Sequence, residues 1–120
     1  MSGATALAEA LARGGRVVWD PPAPPRLLVP RELRPRVEAD RATVRAVMER
    51  AAVFREQAQR FIREGRGFPF LHLAEAKLRH GSCLSCGAPI DEARHFRCPL
   101  CVVAVRIALD VEAAPEVPVC

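Results

Sequence analysis

Two Cys-x-x-Cys pairs, Cys83-Leu84-Ser85-Cys86 and Cys98-Pro99-Leu100-Cys101, constrain this chain more than any other feature of its sequence. A turn of this kind sets two thiolates on one side of a tight loop, about 2.3 Å from a shared ion, and two such turns complete a tetrahedral shell. Eleven residues, 87–97, separate the pairs. Gly87 follows the first pair, where a positive φ is often needed, and Pro99 stiffens the second. The expectation is a structural Zn²⁺ held by Cys83, Cys86, Cys98 and Cys101. Four thiolates leave no ligand position for water or substrate, which speaks for scaffolding and against metal catalysis. The same saturation argues against His80 and His95 as ligands.

The remaining cysteine, Cys120, stands apart and reads as a free thiol. Reduced thiols that bind metal suit the cytosol, where disulfides are rare. Met1-Ser2-Gly3 lacks the basic-then-apolar order of a secretory signal, and no apolar run reaches the roughly 18 residues of a membrane span. A cytoplasmic protein with no membrane partner is therefore expected. At 120 residues each half lies near the size at which a hydrophobic core is marginal, and a metal staple meets that need.

Apolar periodicity predicts an α+β fold: a small helix-hairpin-helices module followed by the Cys₄ module. Leu7 and Leu11, four apart among alanines and stopped by Gly14-Gly15, predict a short first helix over Thr5 to Arg13. Arg16 to Trp19 and Arg26 to Val29 read as two strands around the stiff turn Pro21-Pro22-Ala23-Pro24-Pro25. A short helix from about Arg34 to Ala39 accommodates Pro35 in its first turn. Asp40 reads as the N-cap of a new helix, Arg41 to Glu64, whose stripe Val44, Val47, Ala51, Phe54, Ala58 and Phe61 steps by three and four. Such a stripe packs inside the fold or, alternatively, pairs two copies through residues 44–61 as a homodimer.

Residues 65–80 read as a connector, with a short helix over Leu71 to His80. The run Val102 to Leu109 is compatible with a strand or a helix; a Cys-x-x-Cys leading into it favours a helix growing out of the metal site. Asp110 to Cys120, acidic and interrupted by prolines, reads as tail. The expected divisions are 1–64, 65–80, 81–110 and 111–120.

Basic residues number eighteen, of which Lys77 is the single lysine, against fourteen acids, for a formal net charge of +4. That figure allows nucleic-acid binding without requiring it, because affinity depends on a clustered patch. Arg94, Phe96 and Arg97 between the pairs offer two cations and a stacking surface on a metal-stiffened loop. Arg34, Arg41, Arg45, Arg55 and Arg63 would share one helix face, diluted by Glu38, Glu49 and Glu56. Walker loops, dinucleotide fingerprints, nucleophile elbows and the HExxH motif are missing from the sequence, so no enzyme is expected.

The segment Ala6-Leu7-Ala8-Glu9-Ala10-Leu11-Ala12-Arg13-Gly14-Gly15, with Val17-Val18-Trp19, Leu27-Leu28-Val29-Pro30, Leu33 and Val37 to Val44, resembles the small N-terminal docking domain of the TubC type. That family runs helix, two strands, two helices, and joins subunits by pairing an exposed hairpin with a partner segment. The resemblance implies a protein partner, captured through Trp19, Leu27 and Leu28 by strand addition. The proline turn replaces the usual short polar hairpin. The second half resembles a treble-clef or ribbon-like zinc knuckle. Together these imply a non-enzymatic zinc-binding adaptor, in mobile-element or DNA replication machinery, with a nucleic-acid-binding zinc module as the alternative.

Overall fold

Alanine-rich sequence ahead of a glycine pair begins the fold. The computed structural model describes residues 3–20, 22–66, 71–73, 81–90 and 96–113. Helix α1 spans Gly3–Ala12 and stops where Gly14 turns to φ +95°. The Gly15 N–H donates to the Ala10 carbonyl at 2.7 Å. A Cβ on Gly15 would stand 2.7 Å from that same oxygen and 3.1 Å from the Leu28 oxygen, so only glycine lets the chain reverse this tightly beside a strand.

Strands β1 (Arg16–Val18) and β2 (Arg26–Leu28) pair antiparallel, with Arg16 opposite Leu28 and Val17 opposite Leu27. Trp19 lies one residue past β1, half-buried, with the Arg55 guanidinium 4.8 Å from its ring centroid. A 3₁₀ turn, Arg31–Leu33, then leads into α2, Arg34–Glu38, which carries proline in its first turn and buries Val37. Arg36 on α2 reaches Glu9 on α1 at 2.7 Å, tying the two helices at the surface.

Helix α3 spans Arg41–Arg63 and is capped by Asp40, whose Oδ1 accepts from the Thr43 N–H at 3.4 Å. Its period-3.6 stripe is spent within the chain: Val47, Ala51, Phe54 and Ala58 are buried in the core, while Val44 packs half-buried against it. The arginines expected on one face divide instead. Arg34 belongs to α2, because the break at Asp40 ends the single helix on which that alignment depended, whereas Arg55 stays on α3 with Arg41, Arg45 and Arg63 and lies half-buried with its guanidinium over the Trp19 ring.

Helix α4, Pro99–Ala113, packs mainly on α3, with further contacts to α1 and β1. The run 102–109 is therefore helical, and the helix continues past the expected end of the module to Ala113. Acids at 110 and 112 do not stop it, since neither breaks backbone geometry as proline does. Ala51 and Ala58 on α3 and Ala104 and Ala108 on α4 are all buried in the core these two helices share. Leu7, Val17, Phe54, Leu71 and Ile107 join Cys83, Cys98 and Cys101 in one core cluster.

Of the helix expected over 71–80, residues 71–73 are not helical and the rest lies outside the described residues. Leu71 to Leu73 form a connecting stretch held from both sides, as described below. No described helix is long and apolar enough to cross a membrane.

Candidate metal centre

The first cysteine pair sits on a small hairpin. Ile90 N–H donates to Gly81 O at 2.8 Å and Cys83 N–H to Ala88 O at 2.7 Å, with Ser82 bridged to Pro89. Gly87 closes the loop at φ +80°, the conformation expected of it, and its N–H returns to Cys83 O at 2.9 Å. This closure aims the Ser85 and Cys86 N–H groups at Cys83 Sγ, each at 3.4 Å. Backbone donors converging on one sulfur stabilise it as thiolate.

The second pair opens α4. Cys98 precedes the helix and its carbonyl accepts from the Val102 N–H at 2.9 Å; Pro99 takes the first helical position, where a missing N–H leaves no bond unmade. Cys101 falls in the first turn, so both sulfurs lie at the positive end of the helix, which favours negative charge.

All four Sγ atoms lie within 4.8 Å of one another. A tetrahedral shell with metal–sulfur bonds of about 2.3 Å has sulfur–sulfur edges of about 3.8 Å, and the Cys86–Cys98 edge measures 3.7 Å. Cys83 and Cys101 are fully buried and Cys98 is 9% exposed, while Cys86 is half-buried. The cluster can therefore hold a metal ion in a closed thiolate cage, as the spacing predicted.

Charge is distributed unevenly over the four thiols. Burial pushes Cys83 up, but N–H groups of Cys98, Cys86 and Ser85 outweigh it and hold Cys83 below the ordinary thiol value. The hydrogen bond from Cys101 draws Cys98 down to about 4 against the effect of burial. That same bond, with burial, drives Cys101 up, and burial raises Cys86. Four adjacent thiols cannot all ionise without a cation among them, and those pushed up, Cys86 and Cys101, hold protons that a metal would displace.

Several residues around the cage carry no local sequence signal. Arg50, half-buried on α3, directs Nη1 to Cys101 Sγ at 3.4 Å and to Cys98 Sγ at 3.8 Å. Burial works against its charge, but the neighbouring Cys101, Cys86 and Cys98 sulfurs outweigh this and raise its pKa. Ser85, buried inside the first turn, donates from Oγ to Leu71 O at 2.9 Å and accepts from Arg97 Nε at 2.8 Å. Its carbonyl accepts from Leu73 N–H. On the other side of the same stretch, Gln57 of α3 donates to His72 O and accepts from His72 N–H at 3.0 Å. Residues 71–73 are thus clamped between α3 and the cysteine hairpin.

Of the other site residues expected from sequence, Arg97 is half-buried and commits its Nε to Ser85, whereas Phe96 is 72% exposed, its carbonyl held by Leu84 N–H at 2.7 Å. Arg94, His80, His95 and Cys120 lie outside the described residues. On the hairpin, Leu27 packs half-buried against the core and Leu28 is 41% exposed. A groove between the proline turn and helices α2 and α3 is lined by Pro24, Pro25, Val44 and Met48 together with charged side chains of both helices, Glu38 and Arg45 among them. Comparison with known proteins returns no matching family model, no matching curated protein and no matching solved structure.

Proposed function

We propose that this chain is a zinc-stabilised, non-enzymatic adaptor that docks onto another protein through its N-terminal hairpin. The observation that carries the zinc part is the set of four sulfurs gathered within 4.8 Å. An all-thiolate donor set is soft and tetrahedral, which suits Zn²⁺ over hard oxygen-seeking cations, and it leaves no open position for catalysis. The docking part is supported by the two-stranded sheet, whose strand β2 exposes Leu28, and by a groove of mixed apolar and charged lining that includes Pro24 and Pro25 just ahead of that strand. It also follows the TubC-type pattern of helix, hairpin and helices. A place in mobile-element or DNA replication machinery, in the cytoplasm, remains part of this reading.

Two measurements test it. Purified protein should contain one zinc per chain and lose its cooperative melting transition on chelation; metal-free protein that melts unchanged refutes the zinc reading. Leu28 is the cleaner probe of docking than Trp19, because Trp19 is packed under Arg55 and its loss would disturb the fold. Leu28→Arg should leave zinc content and melting unchanged while the partner that co-purifies with the native protein is lost; a retained partner refutes strand addition.

Exposed Phe96, just ahead of the second cysteine pair, favours a second reading, a nucleic-acid-binding zinc module using Arg94, Phe96 and Arg97. Binding to single- or double-stranded probes that weakens steeply with salt would support it, and no shift of either probe would remove it.

A further inference from the structure

We propose that Arg50 is a charge clamp on the metal centre, a positioning residue on α3 that offsets the negative charge of the Cys98–Cys101 half of the cage and sets how tightly the metal is kept. The inference rests on the zinc reading of the four cysteines. Four thiolates around a divalent cation carry a net charge of −2, and three of those sulfurs are buried. An uncompensated dianion in such surroundings is costly, so compensating donors are required.

The two halves of the cage meet that requirement differently. Cys83 takes backbone N–H groups from its own hairpin, at 3.4 Å from Ser85 and Cys86. On the opposite side, among the described residues, the cation within hydrogen-bond reach is Arg50, at 3.4 Å from Cys101 Sγ and 3.8 Å from Cys98 Sγ. A guanidinium bridging two sulfurs stabilises both thiolates at once and reduces the charge of the loaded site to −1. It also joins elements 48 positions apart in sequence, so that metal retention depends on α3 being docked against α4.

The test compares zinc-loaded full-length protein with Arg50→Met, which keeps an apolar stem of similar reach, and Arg50→Lys, which keeps the charge. Competition with a chromophoric chelator should show Arg50→Met holding zinc about 10- to 100-fold less tightly, the range seen when outer partners of metal ligands are lost, with Arg50→Lys within about threefold of the parent. In Co²⁺-loaded protein, removing the cation raises the energy of the sulfur lone pairs. The thiolate-to-cobalt charge-transfer band should then move to lower energy in Arg50→Met and stay in place in Arg50→Lys; a purely packing role would not move it.

If Arg50→Met fails to fold, Arg50→Gln drops the charge while keeping hydrogen-bonding reach, and the same shifts are expected of it. Unchanged affinity and band position in the uncharged variants overturn the clamp, as does Arg50→Lys being impaired as much as Arg50→Met. Parent protein that takes up neither zinc nor cobalt refutes the zinc reading itself, and the clamp falls with it.

Discussion

Replacing Ser85 with alanine removes one hydroxyl, yet it strands two partners. Oγ donates to Leu71 O at 2.9 Å and accepts from Arg97 Nε at 2.8 Å, and the residue is fully buried. Leu71 is itself buried, so its carbonyl would lack that donor with no water at hand, at a cost of about 1–3 kcal/mol. The bond from Arg97 is charge-assisted and on its own ranks at about 1.5–3 kcal/mol, but Arg97 is half-buried and recovers part of this by turning to solvent. Allowing for that recovery, Ser85→Ala should destabilise the zinc-loaded protein by about 2–4 kcal/mol. Denaturant unfolding of parent, Ser85→Ala, Arg97→Met and the double variant would measure both the total and the coupling. The two side chains share one bond, so their effects should fall short of additivity by about 1 kcal/mol or more. A loss below about 0.5 kcal/mol, typical of a surface change, or strict additivity, would refute the argument that this hydroxyl joins the cysteine hairpin to residues 71–73.

Zinc affinity should rise with pH. Cys86 and Cys101 have pKa values above the ordinary thiol value, so at neutral pH each retains a proton that binding must release. Displacing the protons of these two thiols gives a rise in affinity of at least about 100-fold per pH unit below their pKa values, measurable by chelator competition at pH 6, 7 and 8. An affinity independent of pH would mean that all four sulfurs are already ionised. Phe54→Ala, at a fully buried position in the core cluster shared by α3 and α4, should cost about 3–5 kcal/mol in denaturant unfolding; a loss under about 1 kcal/mol would place that ring outside the core.

What could be read from the sequence was what depends on near neighbours. The step of three and four along 44–61, with Asp40 ahead of it, marks α3 to within a residue or two because helix period and capping are local rules. The hairpin follows from two short apolar runs, one valine-rich and one leucine-rich, around prolines, and the cage from two turns that each position their own sulfurs. Arg50 was illegible for the opposite reason. It looks like any solvated arginine beside a stripe, and only the docking of α4 brings it to sulfurs 48 and 51 positions away. Ser85, Gln57 and residues 71–73 form a clamp across 14 and 15 positions, which no pattern of types announces. Arg97 carries a role its sequence context does not announce: a basic residue beside an aromatic suggests a binding patch, and here one of its donors also serves an inward hydroxyl. The length of α4 was missed because acidic residues and later prolines resemble a tail, although the helix needs neither charge pattern to persist.

Cys86 differs from the other three ligands in meeting solvent. With a metal bound, an incoming donor would meet that corner first and would replace a single sulfur while Cys83, Cys98 and Cys101 still held the ion. Were an ion held here, its exchange would begin at that one edge, and a metal donor could load or unload the protein without prying its interior apart.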